Sequence, residues 1–182
     1  MRPSAGVRAY SVAALIALAP TFQAAGQLAE TESERAAARP EAVFPVRAKV
    51  DWGAADAGFG AYRGGHMHEG QDVFAPAGTP LVAVRDGRVV ETGNDGGRGN
   101  YIAIWSREAG RTFVYLHMLR PARHAPGESV RMGERVGAVG CTGSCWGDHL
   151  HFELRRGRGT TAAPMDPLPL LKRLAARRAA RE

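Results

Sequence analysis

Several things are scarce in this 182-residue chain, and each scarcity closes off a class of protein. No apolar run reaches the ~20 residues that a membrane-spanning helix needs; the principal one, from about Ser11 to Ala19, stops at Pro20. Between residues 44 and 168 long helical periodicity is missing, which argues against a helical bundle. Aromatic residues make up 7% of the sequence and do not interleave with the basic ones, so a formal charge of +6 and a pI near 10.0 carry no nucleic-acid-binding motif. The charge is also misplaced for that role. Arg2 and Arg8 near the start, and Lys172, Arg173, Arg177, Arg178 and Arg181 against Glu182 at the end, account for all of the excess and leave 27–170 formally neutral. The basic character is a tail, preferably read as a solvated helix end and alternatively as a weak contact for anionic polymers or a membrane surface.

What is present falls into four stretches. Arg2 and Arg8, the short apolar run and the small residues Ala24, Ala25 and Gly26 predict a secretory leader over 1–26, removed or retained as an anchor. An acid-rich linker follows over 27–43, with Glu30, Glu32, Glu34 and Pro40. The body, 44–168, is dense in glycine and turn pairs and reads as one all-β domain large enough to bury a core. Leu81 to Val84 and Arg88 to Glu91 flank Asp86-Gly87, which predicts a hairpin. Tyr101 to Trp105, Thr112 to Leu116, Arg135 to Val139 and His149 to Leu154 are further strands. Segments 78–93 and 127–140 look faintly alike, each a valine-bearing hairpin framed by glycines. In 169–182, Leu170, Leu171, Leu174 and Ala175 recur at helical spacing, predicting a short amphipathic helix. Export makes the pair Cys141 and Cys145 a disulfide rather than a redox motif; so short a loop contributes only ~2 kcal/mol by the chain-entropy model.

Only six histidines occur, and their placement is the most informative feature. In His149-Leu150-His151-Phe152-Glu153, strand geometry puts His149 and His151 on one face with Cα atoms ~6.6 Å apart. In His68-Glu69-Gly70-Gln71-Asp72, an extended backbone puts His68, Gly70 and Asp72 on one face, and Gly70 leaves room between an imidazole and a carboxylate. Together they offer what catalytic zinc needs: three nitrogen or carboxylate ligands and one open position. His117 ends the apolar-aromatic run Phe113-Val114-Tyr115-Leu116 and is either a site residue or a core histidine bonded to backbone. His66 and His124 read as surface histidines.

Gly65 to Asp72, Ala75-Pro76-Ala77-Gly78-Thr79-Pro80, Gly99-Asn100-Tyr101, Tyr115-Leu116-His117-Met118-Leu119 and Gly140 to Leu154 together resemble the M23 peptidase domain, the family of lysostaphin and the LytM-type zinc endopeptidases. The resemblance spans about Phe59 to Pro167. It implies a two-sheet antiparallel, β-sandwich-like core with a short C-terminal helix, and one zinc ion per chain held by His68, Asp72 and His151. His117 and His149 would be unligated active-site histidines, His149 taking the water proton and His117 stabilising an oxyanion or sharing the proton work. The implied function is a secreted or otherwise extracytoplasmic metalloendopeptidase, a monomer, acting on the peptide cross-links of peptidoglycan. The alternative is a non-catalytic LytM-like regulator or wall-binding protein that activates other hydrolases. A carboxypeptidase of the other wall-peptidase fold does not fit, since no Glu-x-x-His occurs. Glu153 either orients a ring N–H of a metal-bound histidine or is an exposed strand carboxylate. The chain departs from the family pattern at Cys141 to Asp148. There Trp146 is preferably read as folded back onto the core, and otherwise as a contact for a sugar or peptide. At Leu116, where relatives often carry a small residue, only packing is expected to change.

Overall fold

The computed structural model describes residues 41–181; the expected leader and nearly all of the expected linker lie outside them. The last linker residues belong to the body: Ala42 is buried and the Val43 N–H donates to the Val84 carbonyl at 3.0 Å.

Among the described residues, nine strands form two antiparallel sheets. They are β1 (Gln71–Phe74), β2 (Pro80–Val82), β3 (Gly87–Asp95), β4 (Gly99–Ser106), β5 (Arg111–Met118), β6 (Ser129–Val130), β7 (Arg135–Ala138), β8 (His149–Arg156) and β9 (Ala163–Met165). The larger sheet has seven strands in the order β1-β8-β5-β4-β3-β6, with β9 also on β8. β2 and β7 make the second sheet. The expected all-β, two-sheet antiparallel core is therefore the observed one. The central strands β4, β5 and β8 are buried along almost their whole length, which alternating patterns with one wet face would not give. One face of the large sheet packs Phe152, Leu150, Tyr115, Ile102, Ile104 and Val73 against Leu81, Val84 and Val136 from the small sheet and its flanks. Tyr115 ties the two layers. Its ring meets Phe152 edge-on at 5.3 Å, while its hydroxyl accepts from the Val84 N–H at 3.0 Å and donates to the Val82 carbonyl at 3.1 Å.

The hairpin expected around Asp86-Gly87 is not formed. β2 pairs with β7, and β3 pairs with β4 and β6, so the two faintly similar segments exchange strands with each other instead of each closing on itself. The cause is tertiary. Asp86 Oδ1 accepts from the Met132 N–H at 2.6 Å, turning the chain from one sheet to the other. Gly87 serves close approach, since a Cβ there would lie 2.7 Å from both Ile104 Cγ2 and the Trp105 carbonyl.

The C-terminal helix, α1 (Leu168–Ala179), forms as expected and buries Leu171 and Leu174. Its start is marked by Pro169 in the first turn and by Asp166, whose carboxylate accepts from the Leu168 N–H at 2.9 Å. The tail is less free than its charge suggests. Arg178 donates to the Val46 and Ala48 carbonyls at 2.7 and 2.8 Å and lies over the Phe44 ring, clamping the helix to the chain entering the body. Leu171 is fully buried, so Leu171→Ala should cost about 2–4 kcal/mol in urea unfolding, whereas Lys172→Ala on the exposed face should change stability by less than about 0.5 kcal/mol.

Candidate metal centre

β8 reads His149, His151, Glu153, Arg155 on one face and Leu150, Phe152, Leu154 on the other, and all seven are buried. The apolar set faces the core; the polar set floors a cavity of about 1070 Å³ on the opposite side of the sheet. Across the β1–β8 pair Asp72 stands directly opposite His151. His68, on the loop entering β1, closes over both. His68 Nε2 lies 3.1 Å from Asp72 Oδ1 and 2.9 Å from His151 Nδ1, and His151 Nδ1 lies 2.9 Å from Asp72 Oδ1. Gly70 permits this, because a Cβ there would sit 2.6 Å from His151 Nε2 and 2.7 Å from the Phe152 carbonyl.

The surroundings determine what these three atoms can do. His68 Nδ1 is 2.8 Å from the Gly58 carbonyl, which can only accept, so that nitrogen carries the proton and Nε2 presents a lone pair. His151 Nε2 faces Glu153 Oε1 at 3.3 Å, which likewise leaves Nδ1 bare in the neutral ring. Two nitrogen lone pairs and a carboxylate oxygen then converge, with the Arg63 guanidinium at their edge, 3.4 Å from His68 Nε2 and 2.6 Å from Asp72 Oδ2. That is a donor set for a cation. A tetrahedral zinc ion with ligand bonds of ~2.0–2.1 Å separates its ligand atoms by about 3.3 Å, close to the spacing found. The same surroundings favour positive charge at His151. Burial opposes a charge on His151, but hydrogen bonds and attraction from Asp72 and Glu153 outweigh it and raise its pKa. Burial likewise opposes ionisation of Asp72, yet His151 and His68 hold that carboxyl well below the usual range.

Two further imidazoles line the cavity. His149 Nδ1 donates to the Gly147 carbonyl and His117 Nδ1 to the Thr142 carbonyl, each at 2.8 Å, so both rings keep Nε2 unprotonated. His149 Nε2 is 3.6 Å from Asp72 Oδ1, and the ring centroids of His117 and His149 are 4.9 Å apart. Burial is the main cause that lowers both pKa values, His117 to about 4. Both are neutral bases near pH 7. His117 is also the one described non-glycine residue with positive φ, +58°, a conformation that costs about 1–3 kcal/mol and persists only where the surroundings impose it. Its N–H donates to the Arg98 carbonyl at 2.9 Å, which holds the backbone there.

All five sequence-derived site residues thus come together in one cavity. Glu153 is buried rather than exposed, and Arg155 bridges it to Glu69 at 2.6 Å on each side. Trp146 is the opposite of what was expected: it does not fold back onto the core but stands 87% exposed on the cavity rim. Leu116 does more than pack, since it forms part of the cavity floor opposite His151. His66 is exposed, while His124 is half-buried against Glu134 at 2.9 Å. One participant had no sequence signal. Arg63 donates to Asp72 Oδ2 at 2.6 Å and to the Asp56 carbonyl at 2.7 Å. It occupies one carboxylate oxygen and leaves Oδ1 to the histidines.

Fold and site together define an all-β protein with a buried His-Asp-His donor set beside two neutral histidine bases. Residues 66–167 match the model of Peptidase family M23, and the chain belongs to that family of metallopeptidases. It is 41% identical over 98 residues to the peptidoglycan DD-endopeptidase ShyA of Vibrio cholerae, covering 52% of this chain and 22% of that protein. Among solved structures, the catalytic domain of the antimicrobial peptidase lysostaphin from Staphylococcus simulans aligns with a TM-score of 0.57 at 34% identity, over 63% of this chain and 89% of that one. A zinc-containing peptidase from Vibrio cholerae aligns with a TM-score of 0.56 at 28% identity, over 68% and 37%. The chain spans between a fifth and a third of the length of the curated relatives it matches.

Two substitutions probe the centre without touching a ligand. Gly70→Ala should displace the His151 ring and lower the zinc taken up from solution to well under half that of wild type, with the far-UV spectrum unchanged. Arg63→Met should weaken zinc binding about tenfold in chelator competition, as loss of a hydrogen-bond partner to a ligand commonly does; equal affinity would show that Arg63 does not support Asp72.

Proposed function

We propose that this protein is an extracytoplasmic zinc metalloendopeptidase that hydrolyses peptide cross-links of bacterial peptidoglycan. The observation that carries the reading is the convergence of His68 Nε2, Asp72 Oδ1 and His151 Nδ1 in one cavity with the bare Nε2 atoms of His117 and His149. His68, Asp72 and His151 would hold the ion. A zinc ion there would supply Lewis-acid polarisation of the scissile carbonyl and acidify a water at its open position.

The chain's own residues supply the rest. His149 Nε2, nearest the donor set, takes the proton of the attacking water and returns it to the leaving amine; the Gly147 carbonyl on Nδ1 supports the charge the ring gains. His117, beside it, is a second bare Nε2 that can take the water proton in place of His149, and while it holds that proton its Nε2–H can donate to the carbonyl oxygen. Its low pKa in the resting site keeps it a base until that moment. Glu153 holds the His151 tautomer, and Arg155 and Glu69 hold Glu153.

Support for the substrate class comes from the relatives, which are named as peptidoglycan DD-endopeptidases, as lysostaphin and as a glycyl-glycine endopeptidase. Support for export comes from the leader-like residues 1–26 and from the Cys141–Cys145 disulfide. Digestion of purified sacculi, with mass spectrometry of the released fragments, tests the proposal. Wild type should generate new amino termini, and His149→Ala should do so at least about 100-fold more slowly while retaining zinc. Equal release by both proteins would refute the role of His149. A wild type that binds zinc, cuts nothing and stimulates another hydrolase would favour the regulatory alternative.

A further inference from the structure

The two unligated histidines share a dependence that the metal ligands do not. His117 comes from β5 and His149 from β8, yet the carbonyls that accept their Nδ1 protons, Thr142 and Gly147, both lie on the loop 141–147. That loop is closed by the Cys141–Cys145 disulfide, with Cα atoms 5.5 Å apart. Thr142 sits inside the covalent ring, and Gly147 lies two residues past its end, its carbonyl 3.6 Å from Cys145 Sγ.

The ring is also fastened to the end of β5 that carries His117 and to the neighbouring β3–β4 connection. Thr142 Oγ1 accepts from the Asn100 N–H and donates to the Met118 carbonyl, both at 2.9 Å, and the Ser144 N–H donates to the Gly97 carbonyl at 3.0 Å. Glycines at 99 and 143 make the seat possible, since a Cβ on Gly99 would collide with Thr142 and one on Gly143 with the Gly99 backbone. Much of the loop itself is exposed, with Cys141, Gly143, Ser144, Trp146, Gly147 and Asp148 open to solvent. It has almost no apolar core to hold its shape. Its covalent closure and these few hydrogen bonds are what place two carbonyl oxygens under two imidazoles.

We infer that the Cys141–Cys145 disulfide loop is the positioning element for both proton-handling histidines, with Cys141, Thr142 and Cys145 acting through the Thr142 and Gly147 carbonyls. The inference rests on the proposed peptidase reading for its kinetic consequence, but not for its structural one. His68 and Asp72 lie on the loop entering β1 and on β1, and none of the three candidate ligands hydrogen-bonds to loop 141–147 through its side chain. Opening the ring therefore acts on proton transfer and leaves metal affinity in place.

The test compares zinc-loaded wild type with Cys141→Ser/Cys145→Ser, and with wild type reduced by a phosphine and then reoxidised. Imidazole N–H signals in ¹⁵N-labelled protein report the two Nδ1 hydrogen bonds directly. In oxidised wild type both signals should resist solvent exchange; in the double variant and the reduced protein both should broaden or vanish, and reoxidation should restore them. On sacculi, kcat should fall on the order of 10²-fold, the usual penalty for misplacing a reacting group by about an ångström, with KM and zinc affinity within twofold. Thr142→Val, which keeps the disulfide but loses the hydroxyl bonds, should give a smaller loss of the same kind. Protected signals that survive ring opening would overturn the inference, as would a zinc affinity that falls in parallel with kcat. A wild type without activity on sacculi would count against the proposed function only, because the N–H signals still decide whether the loop holds the rings.

Discussion

The register of β1 against β8 is the constraint from which the rest of the centre follows. Setting Asp72 opposite His151 brings a carboxylate and an imidazole to 2.9 Å across the pair. A shift by one residue would turn β8 over and send His149, His151 and Glu153 into the core while exposing Leu150 and Phe152. The apolar face of β8, packed against Tyr115, Phe113 and the small sheet, therefore also locks the polar face in place. Folding energy and site geometry are two readings of the same alternation.

A buried group of histidines and carboxylates carries a desolvation cost unless each polar atom finds a partner. Here each outer nitrogen does. His68, His117 and His149 bond to backbone carbonyls, His151 to Glu153, and Arg63 takes the free oxygen of Asp72. What stays unsatisfied points inward, as lone pairs on a common centre. The outer bonds set the tautomers, and the tautomers set the chemistry. Positive φ at His117 fits this picture: local strain is tolerated where a side chain must be aimed.

The strands and the site were legible to different depths. Period-two alternation in His149 to Leu154 foretold both a strand and a shared face for its two histidines, and the four-residue spacing of His68 and Asp72 around Gly70 foretold a shared face, because both are local geometry. The helix over Leu168–Ala179 was legible from its leucine spacing. Asp86-Gly87 misled because its turn chemistry is good locally while the Asp86 carboxylate is claimed by Met132, distant in sequence. Arg63 was invisible since nothing in a glycine-rich loop predicts which basic side chain will reach Asp72. Thr142 and Gly147 act through backbone carbonyls, which carry no residue signature. Trp146, exposed on a disulfide-closed loop, has no packing reason that a sequence pattern could have revealed.

The proposed function requires His68, Asp72 and His151 to bind one metal ion together. Zinc titration of the metal-free protein by calorimetry, run on wild type, Asp72→Ala and His151→Ala, tests this most directly. The expected result is one ion per chain for wild type and loss of tight binding in each variant, with the far-UV spectrum unchanged. Full occupancy with wild-type affinity in Asp72→Ala would contradict it.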